Sequence, residues 1–209
     1  SIQNPQSTIP VAMPPAARLA AQTNLSDLVA VLATGNSEVR GKITKAILSN
    51  GDISGILAQT QAPKDYWEGV VNDFIHAQFP DPDRPIAELV SNAVDAVNRG
   101  NFQKDVKVTL LKAGFTVEDE GGGMTLDEIL RKLLIPTLSG SMGRENLIGR
   151  FGVGFYSALN YLKKPTDRLL VETSNGSESF KVIFQRTPNK EVALAIEPIP
   201  AKPRGTIVA

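Results

Sequence analysis

Three short stretches carry residue types whose spacing could do chemistry. In "RPIAELVSNAVDAVNR", residues 84–99, Glu88, Asn92 and Asp95 recur at helical intervals. At about 100° per residue they fall within a sector of roughly 60°, so two carboxylates and an amide would project together. Ile86, Val90, Ala93 and Val97 occupy a neighbouring sector that can face a sheet. A helix with a core stripe commonly exposes charge opposite it, so this helix alone fits a solvated face as well as a site. In "VEDEGGGMT", residues 117–125, a strand delivers Asp119 to its end and the chain becomes pure glycine. Such a carboxylate can accept a hydrogen bond from an exocyclic amine while glycines admit a planar base. An acidic hairpin turn with permissive φ values fits equally. In "GRFGVGFYS", residues 149–157, Gly149, Gly152 and Gly154 lead into an apolar, helix-like run. Unobstructed N–H groups ahead of a helix N-terminus make a ready anion site. No Gly-Lys-Ser/Thr follows, so this is not the nucleotide P-loop, and the spacing is not the G-x-G-x-x-G of dinucleotide folds.

Composition narrows the remaining chemistry. The 209 residues contain no cysteine, which removes disulfides, thiolate zinc sites and cysteine nucleophiles. His76 is the only histidine, which disfavours Ser-His-Asp catalysis and multi-histidine metal sites, and its setting in "FIHAQF" suits an ordinary helix residue. Lys plus Arg equals Asp plus Glu at 22 each, a balance that gives no support to a bulk-charge role on nucleic acid or membrane. No stretch approaches the eighteen or so apolar residues of a membrane span, and no signal peptide pattern opens the chain. These features lead to the expectation of a cytoplasmic protein.

The elements that must position these residues follow from periodicity. Residues 1–15, rich in Pro, Gln and Ser, are expected to form a flexible arm, and 16–62 a helical extension. Helix starts are expected at Asn24 and Asn36, and a stop at Asn50-Gly51. "DYWEGVVNDFIHAQF" predicts an amphipathic helix over 65–79, with Asp83 an N-cap for the helix at 84–99. "VKVTLLK" and "FTVED" alternate as strands, "TLDEILRKLLI" is helical, and a helix spans about 155–163. "RLLVETS", "SFKVIFQR", "VALAIEPI" and "GTIVA" form the closing strands, with Asn175-Gly176 a hairpin turn. Helices lead and antiparallel strands follow, which predicts an α+β two-layer sandwich.

In order, the chain presents E-L-V-S-N-A-V-D-A, D-E-G-G-G-M-T, I-G-R-F-G-V-G-F-Y-S, and a final G-T. This succession resembles the GHKL ATPases, the Bergerat fold shared by gyrase, the ninety-kilodalton heat-shock chaperone, sensor histidine kinases and MutL. "ELVSNAVDA" and "GRFGVGFYSA" are most similar to the chaperone. The resemblance covers residues 65–209. It implies a mixed, mostly antiparallel sheet covered by helices on one face, with an ATP-binding domain over 63–209.

The resemblance also implies roles. Asn92 would coordinate Mg²⁺, and Glu88 would orient the attacking water as general base, with Asp95 and Ala96 completing the pattern of the hydrolysing branch. Asp119 would take the adenine amino group, helped by Thr206, while Gly121 and Gly123 admit the base. Met124 would pack on the purine or fill core. Gly149, Gly152, Val153, Gly154 and Phe155 would supply backbone to the triphosphate. Ser139, Gly140 and Ser141 would lie in a mobile lid, their hydroxyls on phosphate or in solvent. The implied partners are ATP or ADP, downstream domains of the same polypeptide, a second copy in a homodimer of the full-length protein, and client proteins. The chain is expected to be the N-terminal part of a longer protein, with slow hydrolysis in isolation.

Departures from the family pattern accompany these likenesses. Ala87 stands where an arginine commonly precedes the catalytic glutamate. The segment around Lys132, Pro136 and Leu138 differs from the chaperone's lid contacts, and the helices before residue 60 are additional. Besides an ATPase of a chaperone-like protein, the sequence therefore admits a nucleotide-sensing module with little hydrolysis. The ATPase domain of a gyrase- or MutL-type enzyme is a further alternative.

Overall fold

The computed structural model describes residues 23–75, 83–100, 105–112, 114–135 and 153–209. A short strand, β1 (Thr23–Asn24), precedes helices α1 (Leu25–Ala33), α2 (Ser37–Leu48), α3 (Ser54–Gln59), α4 (Lys64–Ile75) and α5 (Arg84–Arg99). Strands β2 (Lys107–Leu111) and β3 (Gly114–Asp119) follow, then α6 (Leu126–Glu128) and α7 (Val153–Ala158). Strands β4 (Arg168–Ser174), β5 (Ser179–Arg186), β6 (Val192–Pro198) and β7 (Gly205–Val208) close the fold.

Local chemistry sets the helix ends. Asn24 Oδ1 accepts the N–H groups of Ser26 and Asp27, and Asn36 Oδ1 those of Glu38 and Val39, so both expected N-caps form. Asn50 adopts φ 51° and Gly51 N–H returns to Ala46 O, ending α2 where expected. Asp83 occupies the N-cap position of α5, but its side chain makes no capping bond. Proline in the first turn already removes one donor there. The helix after Thr125 widens into a π-helical turn over Ile129–Leu133, which periodicity did not foretell. Asn175 and Gly176 begin a four-residue loop, because Ser174 pairs with Ser179.

The strands form one sheet in the order β1-β6-β5-β4-β7-β3-β2, and all six described pairings are antiparallel. Register assigns each face its chemistry. Val117, Val208 and Val171 stand in one row across β3, β7 and β4, all buried. Two residues along, Asp119, Thr206 and Thr173 form the next row on the same face. The alternate row, Lys107–Glu118–Ile207–Glu172–Lys181–Glu197, lies on the opposite face. There Glu172 takes Lys181 at 2.9 Å and also Lys202.

Helices cover the apolar face: α5 packs on β3, α1 and α2 on β6, and α4 and α5 on α7. Leu25, Leu28 and Val29 of α1 are fully buried in the same cluster as Phe180 and Phe184, so α1 packs into the core that supports the sheet. Fully burying each such side chain contributes about 1.5–3 kcal/mol. The core stripe of α5 is Pro85, Leu89, Ala93 and Val97. Leu89 thus takes the position expected of Ile86 and Val90, which are half-buried.

Candidate functional site

Between α5 and the sheet lies a cavity of about 360 Å³, within the range of about 300–1,000 Å³ usual for small-molecule sites. Its floor is Val117, Val171 and Val208, the row set by strand register. Leu89, Asn92, Ala93 and Ala96 of α5 form one wall, and Gly122, Gly123 and Met124 form a second. Phe155 and Thr206 complete the lining with Asp119, and Arg99, Glu128, Lys132 and Leu133 approach from the surrounding segments.

Asp119 is 9% exposed. Burial pushes its carboxyl above the ordinary range, opposed by backbone hydrogen bonds from Gly121 and Thr206. Gly121 N–H donates to Asp119 Oδ1 at 2.8 Å, fixing the carboxylate while leaving it in the cavity wall. A Cβ on Gly121 would stand 2.8 Å from the Ala96 carbonyl carbon, so this glycine lets α5 close onto the loop. Gly123, at φ 64°, would place a Cβ 1.8 Å from Ser174 O. Its nearest approach is to the β4–β5 hairpin, although it also lines the cavity.

Glu88 and Asp95 stand beside the cavity and are not in its lining. Both side chains are 15% exposed, so this face of α5 is largely withdrawn from solvent. Arg84, one turn earlier, reaches Glu88 Oε1 with Nε at 2.6 Å and Nη2 at 2.5 Å. An arginine therefore does accompany Glu88, from position i−4 instead of the expected i−1. Asp95 Oδ2 is buried without a hydrogen bond and faces Arg99 Nη2 at 3.8 Å.

Gly154, in the first turn of α7, meets Glu88: a Cβ there would lie 2.8 Å from Glu88 Cβ and 2.9 Å from Oε2. The helix after the glycine-rich stretch is thereby seated against Glu88. Val153 opens α7. Phe155 is buried against Phe184, with ring centroids 5.3 Å apart. Tyr156 is fully buried and donates to Leu134 O at 2.7 Å, tying α7 to the segment after α6. Ser139, Gly140, Ser141, Gly149, Gly152 and His76 lie outside the described residues.

Two groups near the cavity escaped sequence reasoning. Thr173 is buried and its Oγ1 lies 3.1 Å from Thr206 Oγ1. Strand alternation in "RLLVETS" gives its face, but not its neighbour on β7. Glu128 caps α6 reciprocally with Thr125 and takes Lys132 Nζ at 2.6 Å. Burial alone would raise the Glu128 carboxyl, but hydrogen bonds from Lys132 and Thr125 leave it below its ordinary value.

The donor set bears on a metal. Among the described residues no group of three or more His, Cys, Asp or Glu could hold one. The cavity does present the Asn92 amide. A single amide oxygen suits Mg²⁺ that arrives with phosphates and water as its remaining ligands. Also among the described residues, no helix is long and apolar enough to cross a membrane.

An apolar cavity under an amphipathic helix, closed by a buried carboxylate and glycine-rich turns on an antiparallel sheet, defines a small-molecule site in an α+β domain. Residues 82–204 match the family described as histidine kinase-, DNA gyrase B- and HSP90-like ATPases, and the chain belongs to that family. Its relatives include Chaperone protein HtpG of Chlorobaculum tepidum, 29% identical over 170 residues, covering 67% of this chain and 26% of that protein. The HtpG of Shewanella oneidensis is 30% identical over 158 residues, covering 63% and 24%. The chain thus spans about a quarter of the length of these relatives.

Proposed function

We propose that the cavity binds ATP or ADP together with Mg²⁺, and that the domain hydrolyses ATP to drive conformational change in a longer, HtpG-like chaperone. The observation that carries this reading is the pairing of a buried acceptor, Asp119, with the Asn92 amide in the lining of one cavity, Glu88 standing one helical turn away beside it. Asp119 would accept from the adenine amine with Thr206 beside it, and Met124 would pack against the purine. Asn92 would hold Mg²⁺, which when bound offsets phosphate charge. Glu88 would orient and deprotonate the attacking water. Phosphate would lie toward the glycine-rich stretch that leads into α7, where Gly149, Gly152, Val153 and Gly154 would offer main-chain N–H groups and Ser139, Gly140 and Ser141 would supply a lid.

Turnover by the full chain, with and without Glu88→Gln, tests the chemistry, and ADP affinity with Asp119→Asn tests the placement. The reading requires Glu88→Gln to abolish turnover while retaining nucleotide, and Asp119→Asn to weaken binding. Unchanged affinity in the latter removes Asp119 as the base-reading residue.

A second reading is favoured by the hold of Arg84 on Glu88 Oε1. With that oxygen engaged, the domain would bind nucleotide and signal its presence while hydrolysing little. The balanced charge of the chain lends no support to a DNA-directed enzyme of the gyrase kind. Downstream domains, a homodimer and client proteins belong to the proposed chaperone role, as does a cytoplasmic location.

A further inference from the structure

Two buried serines tie the Asp119 end of the cavity to a segment outside it. Ser174 closes β4 and Ser179 opens β5, and they are 2% and 5% exposed. Ser174 Oγ donates to Lys202 O at 2.9 Å and accepts the Gly176 N–H at 3.1 Å. Ser179 Oγ accepts the Lys202 N–H at 3.1 Å and donates to Ser174 Oγ at 2.9 Å. Each proton has one place to go. A carbonyl oxygen only accepts and a backbone N–H only donates, so Lys202 O takes the Ser174 proton and Ser179 supplies the bond between the hydroxyls.

This clamp reaches the cavity from two sides. Lys202 lies shortly before Gly205, which opens β7, pairs with Ser174, and would place a Cβ 2.2 Å from Asp119 O. The next residue, Thr206, pairs with Asp119 in the sheet, and its backbone N–H bonds the carboxyl. On the other side, Ser174 O would stand 1.8 Å from a Cβ on Gly123, which lines the cavity with Met124. The two serines thus fix both the connection that delivers Thr206 and the hairpin against which Gly123 rests.

We propose that Ser174 and Ser179 are positioning residues that, through Lys202, seat Thr206 against Asp119 and so hold this acceptor in place for a ligand's exocyclic amine. The inference rests on the reading that an adenine nucleotide occupies this cavity. Backbone N–H groups of Gly121 and Thr206 oppose the effect of burial on the Asp119 carboxyl. Slackening the 202–205 connection withdraws the second of them, so the carboxyl should stay protonated to higher pH. Arg99, Glu128 and Lys132 line the cavity with Asp119, and Asp95 stands beside it on α5. Glu118 and Glu172, on the flanking strands, lie on the opposite face of the sheet. The variants below leave all six unaltered.

The experiment measures ADP dissociation constants by titration calorimetry on the full chain, from neutral to mildly acidic pH. The parent, Ser179→Ala and Asp119→Asn are compared well below their melting temperatures, where a loss of stability alone leaves the constants unmoved. Ser179→Ala should weaken ADP about tenfold at neutral pH. Its affinity should also begin to fall at higher pH than the parent's on acidification. Ser179→Cys, which keeps the volume and weakens both bonds, replaces the alanine variant if that chain does not fold. A lower melting temperature with unchanged affinity, or weaker binding with an unmoved pH profile, overturns the inference and leaves the serines structural. If Asp119→Asn binds ADP as the parent does, the cavity reading itself fails, an outcome distinct from failure at the serines.

Discussion

Gly154 lies against Glu88 so closely that a Cβ on the glycine would stand 2.8 Å from Glu88 Cβ and 2.9 Å from Glu88 Oε2. The glycine therefore sets how near α7 comes to α5, and with it where the Glu88 carboxylate rests. Gly154→Ala gains about 1 kcal/mol of helix propensity, but overpacking against a Cβ costs about 1–3 kcal/mol. Net destabilisation of up to about 2 kcal/mol is expected by chemical denaturation, together with reduced turnover. Because the 2.8 Å contact is to Glu88 Cβ, Glu88→Ala does not relieve it. A Gly154→Ala chain more stable than the parent by about 1 kcal/mol, the full propensity gain, would show that α5 and α7 separate at no cost.

The ion pair on the other side of Glu88 separates the two readings of function. Arg84 is 55% exposed, so its pair with Glu88 contributes at most about 1 kcal/mol to stability. With Glu88 as the proposed base, a larger effect on chemistry is expected, because Glu88 Oε1 is engaged at 2.5–2.6 Å. If that contact restrains the base, Arg84→Ala raises ATP turnover about threefold to tenfold with little change in melting temperature. A fall in turnover with unchanged nucleotide affinity would mean that the arginine holds Glu88 in a working position.

How far the sequence discloses this site depends on the range of the interactions. Asn24 and Asn36 cap their helices with N–H groups two and three residues away, so local pattern suffices. Alternation marks β3, β4 and β7 as strands, yet only register places Asp119, Thr206 and Thr173 side by side. Asp119 and Thr206 were legible through family likeness, whereas Thr173 lies in a stretch that likeness did not single out. The stripe of α5 moved to Leu89 because the helix packs against both β3 and α7, a geometry that periodicity alone does not encode. Arg84 was missed because an i,i+4 ion pair ordinarily signifies only a solvated helix face.

Glycines in this chain divide by what surrounds them. Gly123 sits at φ 64°, with Ser174 O at 1.8 Å from a would-be Cβ, so Gly123→Ala must displace the β4–β5 hairpin. Loss of about 3 kcal/mol or more is expected. Gly41 in α2 and Gly69 in α4 have nothing within 4 Å of the same position. Alanine at either should stabilise by about 0.5–1 kcal/mol. Denaturant midpoints of the three variants check the contrast. Tolerance of Gly123→Ala would show that the turn beside Asp119 is not held as described.

Asp119 should give the free and liganded proteins opposite responses to acid. Burial raises its folded-state pKa above the ordinary 3.8, with the Gly121 and Thr206 backbone bonds only partly opposing. In the free chain the stability contributed by this group is fully present below the unfolded value. It is lost as pH rises through the raised one. If the adenine amine donates to the ionised Asp119, as proposed, affinity is full above the raised value and falls as pH drops through it. Between those limits acid favours the empty fold and disfavours the complex, so the rise in melting temperature on adding ADP should shrink. Melting curves with and without ADP across mildly acidic pH measure this directly. Asp119→Asn, which cannot ionise, should flatten that part of the response. A ligand-induced shift that stays constant in the parent through the mildly acidic range would mean that the carboxylate is not the group receiving the base.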